Sequence, residues 1–237
     1  MRTRYILSGL CILLFILAQT FQEIAYRFWI PAAHNPQDEL LVYLLPIDKV
    51  RSILIMSTIV LLIVPFVVVA LRYFKVAPLA SILGVIFGAA FIGFELSHRS
   101  VDFFVIGGKW ASQFSGASST VEREAILQRF ALWNEMVRGW YFPLMLSFLL
   151  ASCSFAVATW KDTIRGGWYH LAPIAYVLNA LRLLGRIMST FAGQSWLNGF
   201  NDKLYFPAVL LINTLLLIWF VVLARENRGA ISTPTVD

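Results

Sequence analysis

The sequence predicts an all-α polytopic membrane protein: a six-transmembrane-helix bundle with long extracytoplasmic loops that contain short amphipathic helices. Three observations point there. Of the 237 residues, 59% are apolar and only 14% charged, whereas a soluble domain runs near half apolar and a quarter charged. Mean hydropathy is +0.74. The apolar residues also gather into six runs near the ~20 residues that a hydrocarbon core about 30 Å thick requires. They occupy 5–19, 51–71, 78–96, 138–160, 168–186 and 204–224, within a single membrane domain over 1–228.

The first run is short and follows Arg2 and Arg4, as in a secretory leader. No small-x-small cleavage pattern follows Ala18, and Leu10 precedes Cys11 where a lipoprotein box needs a small residue, so a retained first helix is expected. The excursion that follows ends in an apolar patch, Leu40 to Leu45, set between Pro36 and Pro46. The second and sixth runs are the most uniformly apolar, and the prolines Pro65 and Pro207 are of a kind lipid-embedded helices tolerate. No span is expected to be interrupted.

In the third run, Gly84-x-x-x-Gly88 makes a small-residue face, better suited to packing inside the bundle than to dimerisation. The middle excursion carries a capping box, Ser119-x-x-Glu122, ahead of a helix over 121–137 whose Ile126, Phe130, Trp133 and Val137 share one face. That helix either runs into the fourth span or lies along the membrane surface. Packing against neighbouring loops is the plainer use of its stripe; an exposed stripe would instead suit a partner. The tail, 229–237, is expected to be disordered.

Alternating sides places 1–4, 72–77, 161–167 and 225–237 together, with Arg2, Arg4, Arg72, Lys75, Lys161, Arg165, Arg225 and Arg228 among them. Basic density there is roughly threefold that of the opposite connections, which predicts cytoplasmic termini in a bacterial inner membrane. Trp140, Trp160, Trp168 and Trp219 fall near span ends, where an interfacial aromatic belt is expected. The net charge of +6 is spread singly along the chain without a nucleic-acid motif, so the lipid bilayer, not nucleic acid, is the expected partner. Cys11 and Cys153 lie in apolar runs and predict no disulfide.

Ionisable groups inside a span are costly, at about 2.5–3.5 kcal/mol each on insertion scales, and each needs an account. Glu95, His98, Arg99 and Asp102 recur at i, i+3, i+4 and i+7 on one helical stripe. Asn179, Arg182 and Arg186 do the same in the fifth span, with Arg182 about 21 Å from Trp168 and still in hydrocarbon. Glu23 and Arg27 close the first span, and Asn134, Glu135 and Arg138 open the fourth. The pentads Glu23-Ile-Ala-Tyr-Arg27 and Glu95-Leu-Ser-His-Arg99 match position by position in residue class, a faint sign of duplication.

Four helices thus bring polar groups to one depth on the outer side. The pattern predicts that Arg182 forks onto Glu95 or Glu135, because a paired guanidinium offsets two desolvation penalties at once.

One reading of this cluster is a structural ion-pair lattice that fixes helix register. The other is a water-accessible vestibule binding or transporting a small polar, anionic or amphipathic ligand through Glu95, His98, Arg99, Asp102, Glu135, Arg138, Asn179, Arg182 and Arg186. A concave pocket lined by Arg182 and Glu95 favours the second. The rival function is an accessory subunit docking a membrane-protein partner through its outer loops, and an intramembrane enzyme comes third. Glu95-x-x-His98 has no second copy for a di-metal site, and His34 and His170 lie elsewhere, so no metal and no cofactor is expected. Ser97 and Ser100 lack a nucleophile elbow, and no catalytic residue is assigned.

Overall fold

The computed structural model describes residues 1–193 and 198–229, and among these every regular element is helical. Helix α1 (Arg2–Ile24) continues directly into a π-helical turn, Ala25–Trp29. Short α2 (Pro36–Val42) starts at Asn35, whose side-chain oxygen accepts the Asp38 N–H at 2.9 Å, with Pro36 in the first turn where its missing N–H costs nothing.

The second span is two helices, α3 (Pro46–Leu61) and α4 (Ile63–Tyr73). Here the expectation of uninterrupted spans is corrected. Pro65 offers no N–H and its ring leaves no space for an α-type bond to the carbonyl four residues back, so the helix is interrupted by a single turn residue, Leu62, whose backbone stays α-helical.

Helix α5 (Pro78–Ser100) passes into a π-helical stretch, Val101–Trp110, and then α6 (Ala111–Gly116). Only Ala117–Ser119 separate it from α7 (Thr120–Trp160), whose first turn is capped by the Ser119 hydroxyl accepting the Glu122 N–H at 3.2 Å. The predicted helix over 121–137 therefore runs straight into the fourth span as one helix of 41 residues. Two 3₁₀ turns, Lys161–Arg165 and Gly167–His170, lead to α8 (Leu171–Phe191). Gly166 and Gly167 make the reversal between them at φ +71° and +58°, a region that favours glycine. Helix α9 (Asn198–Gly229) completes the chain; the predicted disordered tail lies outside the described residues except for Gly229.

Six helical lengths are long and apolar enough to cross a membrane: Arg2–Trp29, Pro46–Tyr73, Pro78–Gly116, Thr120–Arg165, Gly167–Phe191 and Lys203–Glu226. Each packs chiefly on the next in sequence, and α1 packs on α9, so the six spans close into a ring. Large apolar side chains such as Leu17, Leu71, Leu79, Ile86, Val157 and Leu181 face outward and exposed. A bundle apolar outside as well as inside suits a lipid surround, as in a multi-pass membrane protein.

Phe155 of α7 is the hub of the interior. It stacks on Phe66 at 5.5 Å and meets Tyr176 at 5.3 Å, and it lies where a side chain at Gly84 would have to go. A Cβ at Gly84 would meet the Phe155 ring at 2.5 Å, and one at Gly88 would meet Phe66 at 2.6 Å, so the glycine pair serves packing inside the bundle.

The paired lengths 78–116 and 120–160 exceed about 50 Å at helical rise, well beyond a 30 Å core. Their projecting part has its own small core of Ile106, Ala111, Phe114, Ile126 and Phe130, covered by Leu40 of α2. The apolar patch before Pro46 and the stripe on 121–137 thus meet each other. Trp140, Trp160 and Trp168 are exposed near span ends, whereas Trp219 is 1% exposed, packed against Phe220 at 4.9 Å, and does not belong to an interfacial belt.

Candidate functional site

At the end of the ring where the long connections lie, α5 presents its polar stripe inward. Glu95, His98 and Asp102 are buried. Arg99 Nε donates to Glu95 Oε1 at 2.9 Å, and His98 Nε2 stands 3.5 Å from Asp102 Oδ2. From α7, Trp133 Nε1 donates to Asp102 Oδ1 at 3.2 Å. The His98 ring lies nearly parallel to Trp133 with centroids 6.2 Å apart and meets Tyr141 at 5.3 Å, while its Nδ1 is buried with no hydrogen-bond partner. The α-register ends at Ser100, so Asp102 belongs to a wider π turn, a feature often found at functional positions.

Sequence reasoning missed a second buried pair beside this stripe. Arg51 on α3 donates to Asp48 Oδ1 from Nη2 at 2.7 Å and from Nε at 2.9 Å. Its Nη1 reaches Gln22 Oε1 of α1 at 3.3 Å, and its guanidinium lies 4.8 Å over the Tyr26 ring. An acid and an arginine at i, i+3 just after Pro46 were the available signal, obscured because Arg51 stood at the predicted span boundary. Arg51 and Arg99 are both within electrostatic range of Asp102, so spans one to four share one polar layer. Glu39 of α2, outside the spans and largely exposed, has its carboxyl pushed upward by partial desolvation and, second, by the charge on Asp102.

The fifth span behaves differently. Asn179 is buried and donates through Nδ2 to Ser152 Oγ of α7 at 2.8 Å. Its Oδ1 accepts from Arg182 Nε at 3.2 Å and Nη2 at 3.0 Å, and the Arg182 guanidinium lies 5.4 Å from the Tyr205 ring of α9. Among the described residues no carboxylate comes within 4 Å of Arg182, which corrects the expected pairing with Glu95 or Glu135. Glu135 and Arg138 are exposed on α7 and stand apart from the cluster; Arg186 is half-buried one turn beyond Arg182. Glu23 and Arg27 pair at 2.6 Å on an exposed face.

The reason the interhelical knot does not form is local. Glu95–Arg99, Asp48–Arg51 and His98–Asp102 each sit three or four residues apart on one helix, so each acid meets its base before any helix packs on another. Arg182 has no acid within a turn of it and takes an amide and a ring instead.

At the opposite end lies a knot that the sequence did not reveal. Arg72, closing α4, donates to Asp162 Oδ2 from Nη2 at 2.9 Å and to Tyr5 Oη from Nη1 at 3.1 Å; the Tyr73 hydroxyl donates to the same carboxylate oxygen. Tyr169 donates to Glu226 Oε2 at 2.5 Å, and Arg165 lies 5.3 Å over the Tyr169 ring. Arg72 and Asp162 are 90 positions apart in turns that read as solvent-facing, and no local pattern links them.

Two grooves stand out. One, of about 430 Å³, runs between α1 and α9; the other, of about 440 Å³, lies between Gln113 and Arg129 on the projecting hairpin. Neither is lined by Arg182 or Glu95. Among the described residues no three His, Cys, Asp or Glu side chains gather as a metal ion needs. Comparison of the chain with family models, curated proteins and solved structures yields no match.

Proposed function

We propose that this is a bacterial inner-membrane protein, with both termini in the cytoplasm, that binds a small anionic or amphipathic ligand reaching Arg182 from the outer side. One observation carries the reading. Arg51, Arg72 and Arg99 each hold a carboxylate within 2.9 Å, whereas among the described residues Arg182, half-buried in a spanning helix, meets the Asn179 amide oxygen and the Tyr205 side chain and no carboxylate within 4 Å. A guanidinium without a counter-charge in a low-dielectric layer attracts an anion, and its planar fork suits carboxylate or phosphate. Asn179, anchored on Ser152, orients it, and the Glu95–Arg99, His98–Asp102 and Asp48–Arg51 pairs act as the neutral lattice that fixes helix register around it. The Arg72–Asp162 knot ties the other end, which supports access from the long-loop side.

The docking-subunit alternative would use the long outer loops and the 121–137 helix, whose Ile126, Phe130, Trp133 and Val137 share one face. Ile126 and Phe130 are buried against α2 and the 101–116 segment, so that part of the stripe serves internal packing, while Val121, Leu132 and Met136 stay exposed on the same helix.

The test uses full-length protein in nanodiscs of neutral lipid, with dodecyl phosphate and laurate as probes. Wild type is expected to show a saturable rise in melting temperature with each. Arg182→Gln should bind at least tenfold more weakly, as the loss of a charge-assisted contact worth about 1.5–3 kcal/mol requires. Arg182→Lys should retain part of the response. Equal binding by Arg182→Gln, no binding by wild type, or collapse of both variants' folds each rejects the reading; collapse would make Arg182 a structural residue.

A further inference from the structure

The seam where the ring closes holds a second feature. Helices α1 and α9 are not joined by any turn, and between them runs the groove of about 430 Å³. Ile6, Leu10 and Leu13 border it from α1, and Leu217 and Val221 from α9. Ile6 and Leu10 are about half exposed, so the groove opens outward from the bundle. Its floor includes the buried Gly9, whose missing side chain lets Leu217 and Phe220 of α9 come within ordinary contact distance of the α1 backbone.

From Arg2 to Leu13 the groove follows about 16 Å of helix, close to half the thickness of a hydrocarbon core. Arg2 and Arg225 stand at its termini-end mouth, and no acidic residue lines it. Among the described residues neither arginine has a carboxylate within 4 Å.

We infer that this groove is a binding site for one anionic phospholipid of the leaflet at the termini end, with an acyl chain lying along Ile6 to Leu13 and the phosphate between Arg2 and Arg225. The shape selects a thin apolar chain, and the paired cations select the head group. A bound lipid would cover the outer side of the seam where α1 packs on α9. The inference is independent of Arg182, which lies on a different pair of helices toward the other end.

Native mass spectrometry of the full-length protein, delipidated and titrated with phosphatidylglycerol or phosphatidylcholine, tests it. Wild type should retain one phosphatidylglycerol at least tenfold more tightly than phosphatidylcholine. Arg2→Gln/Arg225→Gln should erase that preference while leaving weak binding of both lipids, and Ile6→Trp, which fills the groove from an exposed position, should weaken both. A preference unchanged in the double variant, indifference of wild type to head group, or binding undiminished by Ile6→Trp overturns the assignment. A second copy of the chain in place of lipid would do the same. The Arg182→Gln variant should retain phosphatidylglycerol as wild type does, so failure here and failure of the ligand reading are separable.

Discussion

Asp162 gathers Arg72, Tyr73 and, at 3.6 Å, Arg165 onto one carboxylate. Removing its charge strands a guanidinium whose side chain is only 16% exposed. Asp162→Asn should therefore lower stability by about 3 kcal/mol, the range for breaking a buried pair. Chemical unfolding in detergent checks this, and a double-mutant cycle with Arg72→Gln should return a coupling of about 1–3 kcal/mol. Arg27→Ala is the contrast: its pair with Glu23 is as short, but the arginine side chain is 65% exposed, so the loss should stay within about 0.5 kcal/mol. Distance alone does not rank these pairs; burial does. The same distinction explains what was legible at this scale. Glu95–Arg99 and Glu23–Arg27 announce themselves by spacing, whereas Arg72–Asp162 is a product of tertiary packing between turns.

Helix α5 shows how a sequence motif becomes a packing device. Gly84 and Gly88 lie one turn apart and admit two rings, Phe155 and Phe66, against the backbone. Both rings are anchored in the core and stack on each other, so neither retreats easily from a new methyl group. Gly88→Ala should cost about 1–3 kcal/mol despite the better helix propensity of alanine, and Gly93→Ala, where open space surrounds the added Cβ, should be neutral or slightly stabilising. Thermal unfolding of the two variants side by side checks the sign. The capping box at Ser119 was legible because caps are local, whereas the second span was expected from 51 and its helix starts at Pro46. The break at Leu62 was not expected, since apolar composition hides a proline's effect on the turn before it. The π segments at Ala25–Trp29 and Val101–Trp110 leave no compositional trace; the first overlaps its pentad and the second follows its pentad, and both pentads form the same Arg Nε to Glu Oε1 pair. Any helix with glutamate and arginine at i, i+4 forms that pair, so the shared geometry follows from the spacing alone.

For the whole molecule, closure of the ring by α1 on α9 places the start of the chain and the end of α9 on one side, together with the Arg72 turn and the 161–167 turn. The span count and alternation that produced this arrangement were readable from hydropathy, because each span must satisfy its own backbone in lipid. The neighbour order and the projecting hairpin were not, since apolar runs do not say which face meets which helix. The side holding the termini carries the higher density of Lys and Arg, and positive charge resists translocation, so that side is expected in the cytoplasm. Fusion of green fluorescent protein after Asp237 should then fluoresce in cells, and alkaline phosphatase at the same position should be inactive. Insertion of the phosphatase at Ala117, the tip of the projecting hairpin, should give active enzyme. The reverse pattern would invert the bundle, moving Arg182 and its proposed ligand to the cytoplasmic face and the Arg2–Arg225 groove to the outer leaflet. The two proposed arginine sites would thus lie on opposite sides of the membrane in either orientation.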